Sequence, residues 1–170
     1  KVFIIGNSFG GNLGFYLARE FQNDIAGIIT LGAPIRLKYH WFLLLRYYTY
    51  GRFKKYYRKP PRAYKTDYTD MKDEVTYPVI PIKSFKEFLD FIKHETKANL
   101  KKIEIPALIG HANIDPVVHP KSATYIYGHL GSQFKKIFWF DSNEHTVING
   151  KDRSVLFEKS YEFIKEVNGK

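Results

Sequence analysis

Residues 1–14, Lys1-Val2-Phe3-Ile4-Ile5-Gly6-Asn7-Ser8-Phe9-Gly10-Gly11-Asn12-Leu13-Gly14, read as a buried strand that runs into a sharp turn and then a helix. Val2 to Ile5 form a continuous apolar run, the pattern of a parallel strand covered on both faces. Gly6-Asn7-Ser8-Phe9-Gly10 fits G-x-S-x-G, in which a serine is held in a strained conformation at a strand-to-helix corner. A side chain two residues before or after that serine is expected to collide with the turn, and Gly6 and Gly10 remove both. The pattern alone is weak. A strand before it and a helical segment from Phe9 to about Phe21 after it give it context.

Outward from this corner, Ile25 to Leu31 (IAGIITL) reads as a second buried strand closed by Gly32-Ala33-Pro34, so the chain opens with a parallel strand–helix–strand unit. Ser84 with Glu87 three residues on forms a capping box ahead of a helix whose Phe85, Phe88, Leu89 and Ile92 share a face. Ile103 to Gly110 (IEIPALIG) reads as a third strand and Lys136 to Phe140 (KIFWF) as a fourth, separated by a helix from about Lys121 to Leu130. A last amphipathic helix spans about Asp152 to Val167, with Val155, Leu156, Tyr161, Phe163 and Ile164 turned inward. Alternating strands and helices predict an α/β fold with a four-stranded parallel sheet whose spatial order follows sequence order.

Between the second strand and the capping box the composition changes. From Pro34 to Lys72 eleven basic residues face only Asp67 and Asp70, a local charge of +9 within a chain whose total is +10. Aromatic residues crowd the same stretch, among them Trp41, Phe42, Tyr47 and Tyr48, around Leu43, Leu44 and Leu45. It reads as an inserted, mainly helical segment, bent at Gly51 and ended by Pro60-Pro61. Basic faces opposite Trp, Phe and Leu suit an anionic membrane surface. The same mixture permits nucleic-acid binding, but no recognition motif supports it.

At 170 residues and 44% hydrophobic content the chain suffices for one substantial core. It contains no cysteine, which excludes disulfides, thiolate metal sites and cysteine nucleophiles and leaves the redox compartment open; a cytoplasmic location is the default. No apolar run approaches the length needed to span a bilayer. No cofactor or metal is called for by any motif.

A serine hydroxyl needs a base within hydrogen-bond reach, and the base needs an orienting group. In open parallel sheets such groups gather past the carboxyl ends of strands. After the third strand comes Gly110-His111-Ala112-Asn113-Ile114-Asp115-Pro116, and after the fourth comes Asp141-Ser142-Asn143-Glu144-His145. Ser8, Asp115 and His145 are therefore the candidate site. Asp141 competes with Asp115 for the acid, but is only four residues from His145 in the same loop. His40, His94, His111, His119 and His129 read as structural, and Glu144 as solvated.

The elbow Gly6-Asn7-Ser8-Phe9-Gly10-Gly11, the turn Asp115-Pro116-Val117-Val118 and His145 after the last strand together resemble the α/β-hydrolase superfamily, and within it capped serine carboxylesterases and monoacylglycerol lipases. The resemblance covers essentially the whole chain. It implies a hydrolase core at 1–33 and 82–170 and a helical cap at 34–81 inserted after the sixth strand. It implies Ser8 as nucleophile, His145 as general base then acid, Asp115 as its orienter and the Phe9 N–H as an oxyanion donor, with Trp41, Phe42, Leu45 and Tyr48 of the cap lining the substrate entrance. The implied substrate is a small lipophilic ester. In that family the elbow strand is the fifth of eight, so the resemblance also implies a portion of a longer hydrolase. The strands before the elbow and the loop with the second oxyanion donor would then lie upstream of Lys1, and the first strand would be an exposed sheet edge. Asn7 beside the serine equally resembles carbon–carbon bond hydrolases of ring-cleavage products, and a non-catalytic binding module on the same fold is the reading from another class.

Overall fold

The structure is a computed structural model that describes residues 1–50, 53–58 and 79–169. It divides into two compact units, one of Lys1–Lys38 with Ile92–Lys170 and one of Tyr39–Phe91.

In the first unit β1 (Val2–Asn7), β2 (Ile25–Leu31), β5 (Ala107–Ala112) and β6 (Lys135–Phe140) form one sheet in the order β1-β2-β5-β6. All three pairings are parallel, with Ile5 opposite Ile29, Ile29 opposite Leu108 and Ile109 opposite Ile137. The alternation of side chains along a strand sends neighbouring residues to opposite layers. Ile28 packs with Phe15 and Ala18 of α1 (Phe9–Glu20) and with Ala123 and Ile126 of α4 (Lys121–His129). Ile29 and Leu31 pack instead with Leu156 and Phe163 of α5 (Arg153–Asn168). Full burial of each such side chain stabilises the fold by about 1.5–3 kcal/mol. β1 lies at the edge of the sheet, with Val2 62% and Ile5 53% exposed.

Three readings are corrected. The third strand was expected from Ile103, but regular pairing starts at Ala107, because Pro106 has no N–H to give; its carbonyl accepts from the Ile28 amide at 2.9 Å, and Ile103 and Ile105 are buried beneath the sheet end without joining it. On α5, Val155 and Tyr161 were expected inside and are 37% and 63% exposed; the buried stripe is Leu156, Ser160 and Phe163, with a serine in the middle of an otherwise apolar face. The capping box at Ser84 does not form. Helix α3 (Ile82–Phe91) starts two residues earlier, where the Ile82 amide donates to the Lys55 carbonyl at 3.0 Å.

The Tyr39–Phe91 unit contains α2 (His40–Tyr50), α3 and a two-stranded antiparallel sheet of β3 (Tyr56–Arg58) and β4 (Val79–Pro81) that sequence periodicity did not reveal. Each of its strands has three residues, too few for an alternation to register. Phe85 and Phe88 stack with ring centroids 6.3 Å apart on the half-buried face of α3. Gly51 and Pro60-Pro61, expected to bend and end the inserted segment, lie outside the described residues, as do Asp67 and Asp70.

Candidate active site

Ser8 stands between β1 and α1 at a corner with φ 52° and ψ −124°, one of two non-glycine residues with positive φ among the described residues. Such a conformation costs roughly 1–3 kcal/mol and persists only where surrounding structure fixes it. Here the Ser8 amide donates to the Leu31 carbonyl at 2.7 Å, and the Ser8 carbonyl accepts from the Gly11 amide at 2.9 Å. The corner is close because Gly6 has no side chain: a Cβ there would stand 2.4 Å from the Gly10 carbonyl oxygen and 2.7 Å from the Gly11 Cα. Gly10 does not have the role expected of it, since a Cβ at Gly10 meets nothing within 4 Å. Gly11 is the second glycine that close packing requires, its added Cβ falling 2.8 Å from that of Ala33.

Asp115 and His145 arrive on loops that follow β5 and β6. The two loops are stitched together: the Asn113 amide donates to the Phe140 carbonyl at 2.9 Å and the Ile114 amide to the Ser142 carbonyl at 3.1 Å. His145 Nδ1 lies 2.8 Å from Asp115 Oδ2, and His145 Nε2 lies 2.8 Å from Ser8 Oγ. Asp115 Oδ1 accepts from the Val117 amide at 2.7 Å and the Val118 amide at 2.9 Å. Asp115 is fully buried, whereas the rival Asp141 is exposed.

Charge settles the tautomer. Burial works against ionisation of Asp115, but the hydrogen bond and charge of His145, with the Val118 and Val117 amides, outweigh it and hold the carboxyl below its ordinary value. An ionised carboxylate only accepts, so His145 Nδ1 carries the proton and Nε2 presents its lone pair to the Ser8 hydroxyl. The Ser8 side chain makes no capping bond to α1, which leaves Oγ facing the imidazole. The arrangement can draw a proton from Ser8 and hold the resulting imidazolium against a buried carboxylate. Phe9 is the first residue of α1, so its N–H stands at a helix N-terminus, where negative charge is favoured.

Two neighbours of the site were not placed there by the sequence reading. Gly32, taken only as a strand terminator, has φ +60°, and a Cβ on it would lie 3.5 Å from Asp115 Oδ2 and 3.6 Å from His145 Nδ1. His111 is 1% exposed, donates from Nε2 to the Val118 carbonyl at 3.4 Å and lies 3.7 Å from Asp115 Oδ2. Burial pushes its pKa down despite Asp115, which keeps it neutral. Its position four residues before the acid, on a strand buried throughout, was the available signal. Glu144, expected in solvent, is half-buried, and its Oε2 has no partner among the described residues, because the tight turn in which its amide donates to Ser142 Oγ folds it inward. His119 Nδ1 accepts from the Lys121 amide at 3.1 Å, and His129 stacks on Tyr125. On α2, Trp41, Phe42, Leu45 and Tyr48 are 82%, 55%, 61% and 69% exposed.

A family profile described as serine aminopeptidase, S33, matches residues 1–152. The chain belongs to this family of α/β-hydrolases. Among curated relatives, a thermostable monoacylglycerol lipase of Bacillus sp. (strain H-257) is 30% identical over 99% of the chain, and a carboxylesterase of Bacillus subtilis (strain 168) is 24% identical over 96%. The chain spans 64% and 63% of the lengths of these relatives. Among solved structures, one described with the metagenome-derived lipolytic enzymes LipS and LipT superposes with a TM-score of 0.82 at 26% identity over 98% of the chain and 66% of its own. A soluble variant of the Saccharomyces cerevisiae monoglyceride lipase, solved with a substrate analogue, gives 0.77 at 17% identity over 97% and 61%. The four-stranded parallel sheet and its flanking helices are thus a part of the α/β-hydrolase fold.

Proposed function

We propose that this S33-family protein hydrolyses lipophilic carboxylic esters through an acyl-serine intermediate. The observation that carries the reading is the relay in which His145 stands 2.8 Å from both Ser8 Oγ and Asp115 Oδ2. Ser8 Oγ attacks the acyl carbonyl as His145 Nε2 takes its proton. The tetrahedral intermediate collapses, and the imidazolium returns the proton to the departing alcohol. Water, deprotonated by the same nitrogen, then attacks the acyl-serine, and the imidazolium returns that proton to Ser8 Oγ as the acid departs. Asp115 keeps the imidazole oriented throughout, and the Phe9 N–H receives part of the oxyanion charge. In this reading residues 34–81 serve as the cap segment and 1–33 with 82–170 as the hydrolase core, and Trp41, Phe42, Leu45 and Tyr48 contact the acyl chain. The relatives named for lipases and carboxylesterases support a lipophilic ester as the substrate. The basic character of the inserted segment suits an anionic membrane surface.

A fluorophosphonate probe tests the serine directly, because it labels only an activated hydroxyl. Labelling of the protein and its loss in Ser8→Ala, with turnover of p-nitrophenyl esters and of a monoacylglycerol, is the expected result. An unlabelled, folded protein would replace the hydrolase by a binding module. Labelling with turnover only of a ring-cleavage diketone would assign the carbon–carbon bond reaction instead.

A further inference from the structure

His111 is a buried titratable side chain to which the proposed reaction gives no task. It follows Ala107 and Ile109 along β5 toward the layer of α1 and α4, and its ring meets that of Trp139 edge-on at 6.0 Å. Burying an imidazole among such residues is unfavourable unless its nitrogens find partners. Nε2 faces two groups at once, the Val118 carbonyl at 3.4 Å and Asp115 Oδ2 at 3.7 Å. The carbonyl only accepts, so Nε2 carries the proton and sets a positive dipole end beside the carboxylate. The first contact is a long hydrogen bond; the second is beyond hydrogen-bond reach and acts as dipole on charge.

Val118 is thereby gripped at both ends. Its N–H donates to Asp115 Oδ1 at 2.9 Å, and its carbonyl accepts from His111. His111 thus bears on both oxygens of the acid, on Oδ1 through Val118 and on Oδ2 through its own N–H. Oδ2 is the oxygen that His145 Nδ1 meets at 2.8 Å. Rotation of the carboxylate would break that contact, and donors set against both oxygens oppose the rotation. A neutral N–H suits the place, since a cation there would compete with His145 for Oδ2, and burial keeps His111 neutral despite Asp115.

We propose that His111 is a positioning residue for the reaction: by holding Val118 and facing Asp115 Oδ2 with an N–H, it fixes the carboxylate on His145. The proposal rests on the reading of Ser8 as the nucleophile of a hydrolase, and its central readout needs no turnover.

Three variants test it, each checked for folding by circular dichroism and thermal melts. His111→Leu removes the N–H and keeps an apolar side chain, His111→Asn offers an amide that stops short of Asp115, and His111→Gln brings an N–H close to the position of Nε2. The proton shared between His145 Nδ1 and a buried carboxylate gives a low-field proton NMR signal, read at about pH 8, where an ordinary histidine is neutral. That signal should appear in the wild type and in Ser8→Ala, persist in His111→Gln, and move upfield or exchange away in His111→Leu and His111→Asn. Fluorophosphonate labelling should fall by about tenfold in His111→Leu and His111→Asn and stay within about twofold in His111→Gln. A low-field signal and labelling rate unchanged in the folded member of the Leu and Asn pair, with only the melting temperature lowered, would make His111 a packing residue and overturn the proposal. Equal losses in all three variants would overturn it too. A signal that responds as expected in a protein that the probe never labels would uphold the positioning and remove the hydrolase reading.

Discussion

The Val118 amide donates to Asp115 Oδ1 at 2.9 Å, and Val118 itself pairs antiparallel with Leu37 just after β2. Flanking bonds run from the Lys38 amide to the Val117 carbonyl and from the His119 amide to the Arg36 carbonyl, both at 2.9 Å. The two oxygens of Asp115 therefore have different tasks: Oδ1 holds the turn that is tied to the segment after β2, and Oδ2 faces His145. Asp115→Asn separates them. If the remaining oxygen stays on the two amides, the Nδ2 group meets His145 Nδ1–H donor to donor, and the imidazole must move its proton to Nε2 and can no longer accept from Ser8. The expected outcome is a folded protein whose fluorophosphonate labelling and ester turnover fall by about 10⁴-fold. Asp115→Ala should in addition lose about 1–3 kcal/mol in chemical denaturation, because the buried Val118 amide and the part-buried Val117 amide are left without an acceptor.

The corner glycines predict unequal effects that the G-x-S-x-G pattern conceals. In Gly6→Ala the new methyl meets backbone at 2.4 Å, which cannot swing aside, so a loss of about 1–3 kcal/mol and of Ser8 labelling is expected. Gly10→Ala places its methyl in open space on a helix and should be neutral or more stable by about 0.5–1 kcal/mol. Thermal melts of the pair decide; equal destabilisation would mean that the corner is built differently.

These contrasts show what the residues disclose before folding. The apolar runs of β1 and β2 were legible because a strand buried on both faces leaves an unbroken hydrophobic string, and each candidate side chain was legible because it follows a parallel strand, which delivers it to one edge of the sheet. Gly10 and Gly11 could not be ranked, since their difference is the distance to Ala33, a residue on another element. Glu144 was misjudged for the same reason: whether a polar side chain in a loop faces water depends on neighbours distant in sequence. Tyr161 misled because helical periodicity gives a face its width but not its centre, and Ser160 occupies the centre.

Acidification should weaken the fold in two windows. His111 has a folded-state pKa below its ordinary 6.5, so the unfolded chain binds the proton first and stability falls as pH drops below that value. The groups facing His111 are Asp115, His119 and His145, with the Trp139 ring edge-on at 6.0 Å. Asp115 is held below its ordinary 3.8, so its contribution is complete above that value and is lost as pH falls through the folded-state pKa. Denaturation midpoints measured against pH should show both steps. His111→Gln should flatten the upper one and leave the lower one in place; a variant with an unchanged upper step would remove His111 as its source.

The last prediction concerns the exposed face of α2. Trp41, Leu45 and Tyr48 stand at i, i+4 and i+7, one stripe of the helix, with Phe42 beside it, and all four are more than half exposed. In the proposed function this stripe meets the acyl chain of the substrate. Substituting Trp41 and Leu45 with serine removes apolar surface that is already in water, so thermal stability should hold within about 0.5 kcal/mol. The effect on substrates should grow with chain length, because each methylene withdrawn from water contributes about 0.8 kcal/mol, close to fourfold in binding. Turnover of a series of p-nitrophenyl esters at equal folded concentration measures this, with KM for the longest chains rising most and short-chain esters nearly unchanged. A uniform loss across the series would instead point to a disturbed Ser8 or His145, and no loss at any length would remove these residues from the acyl site.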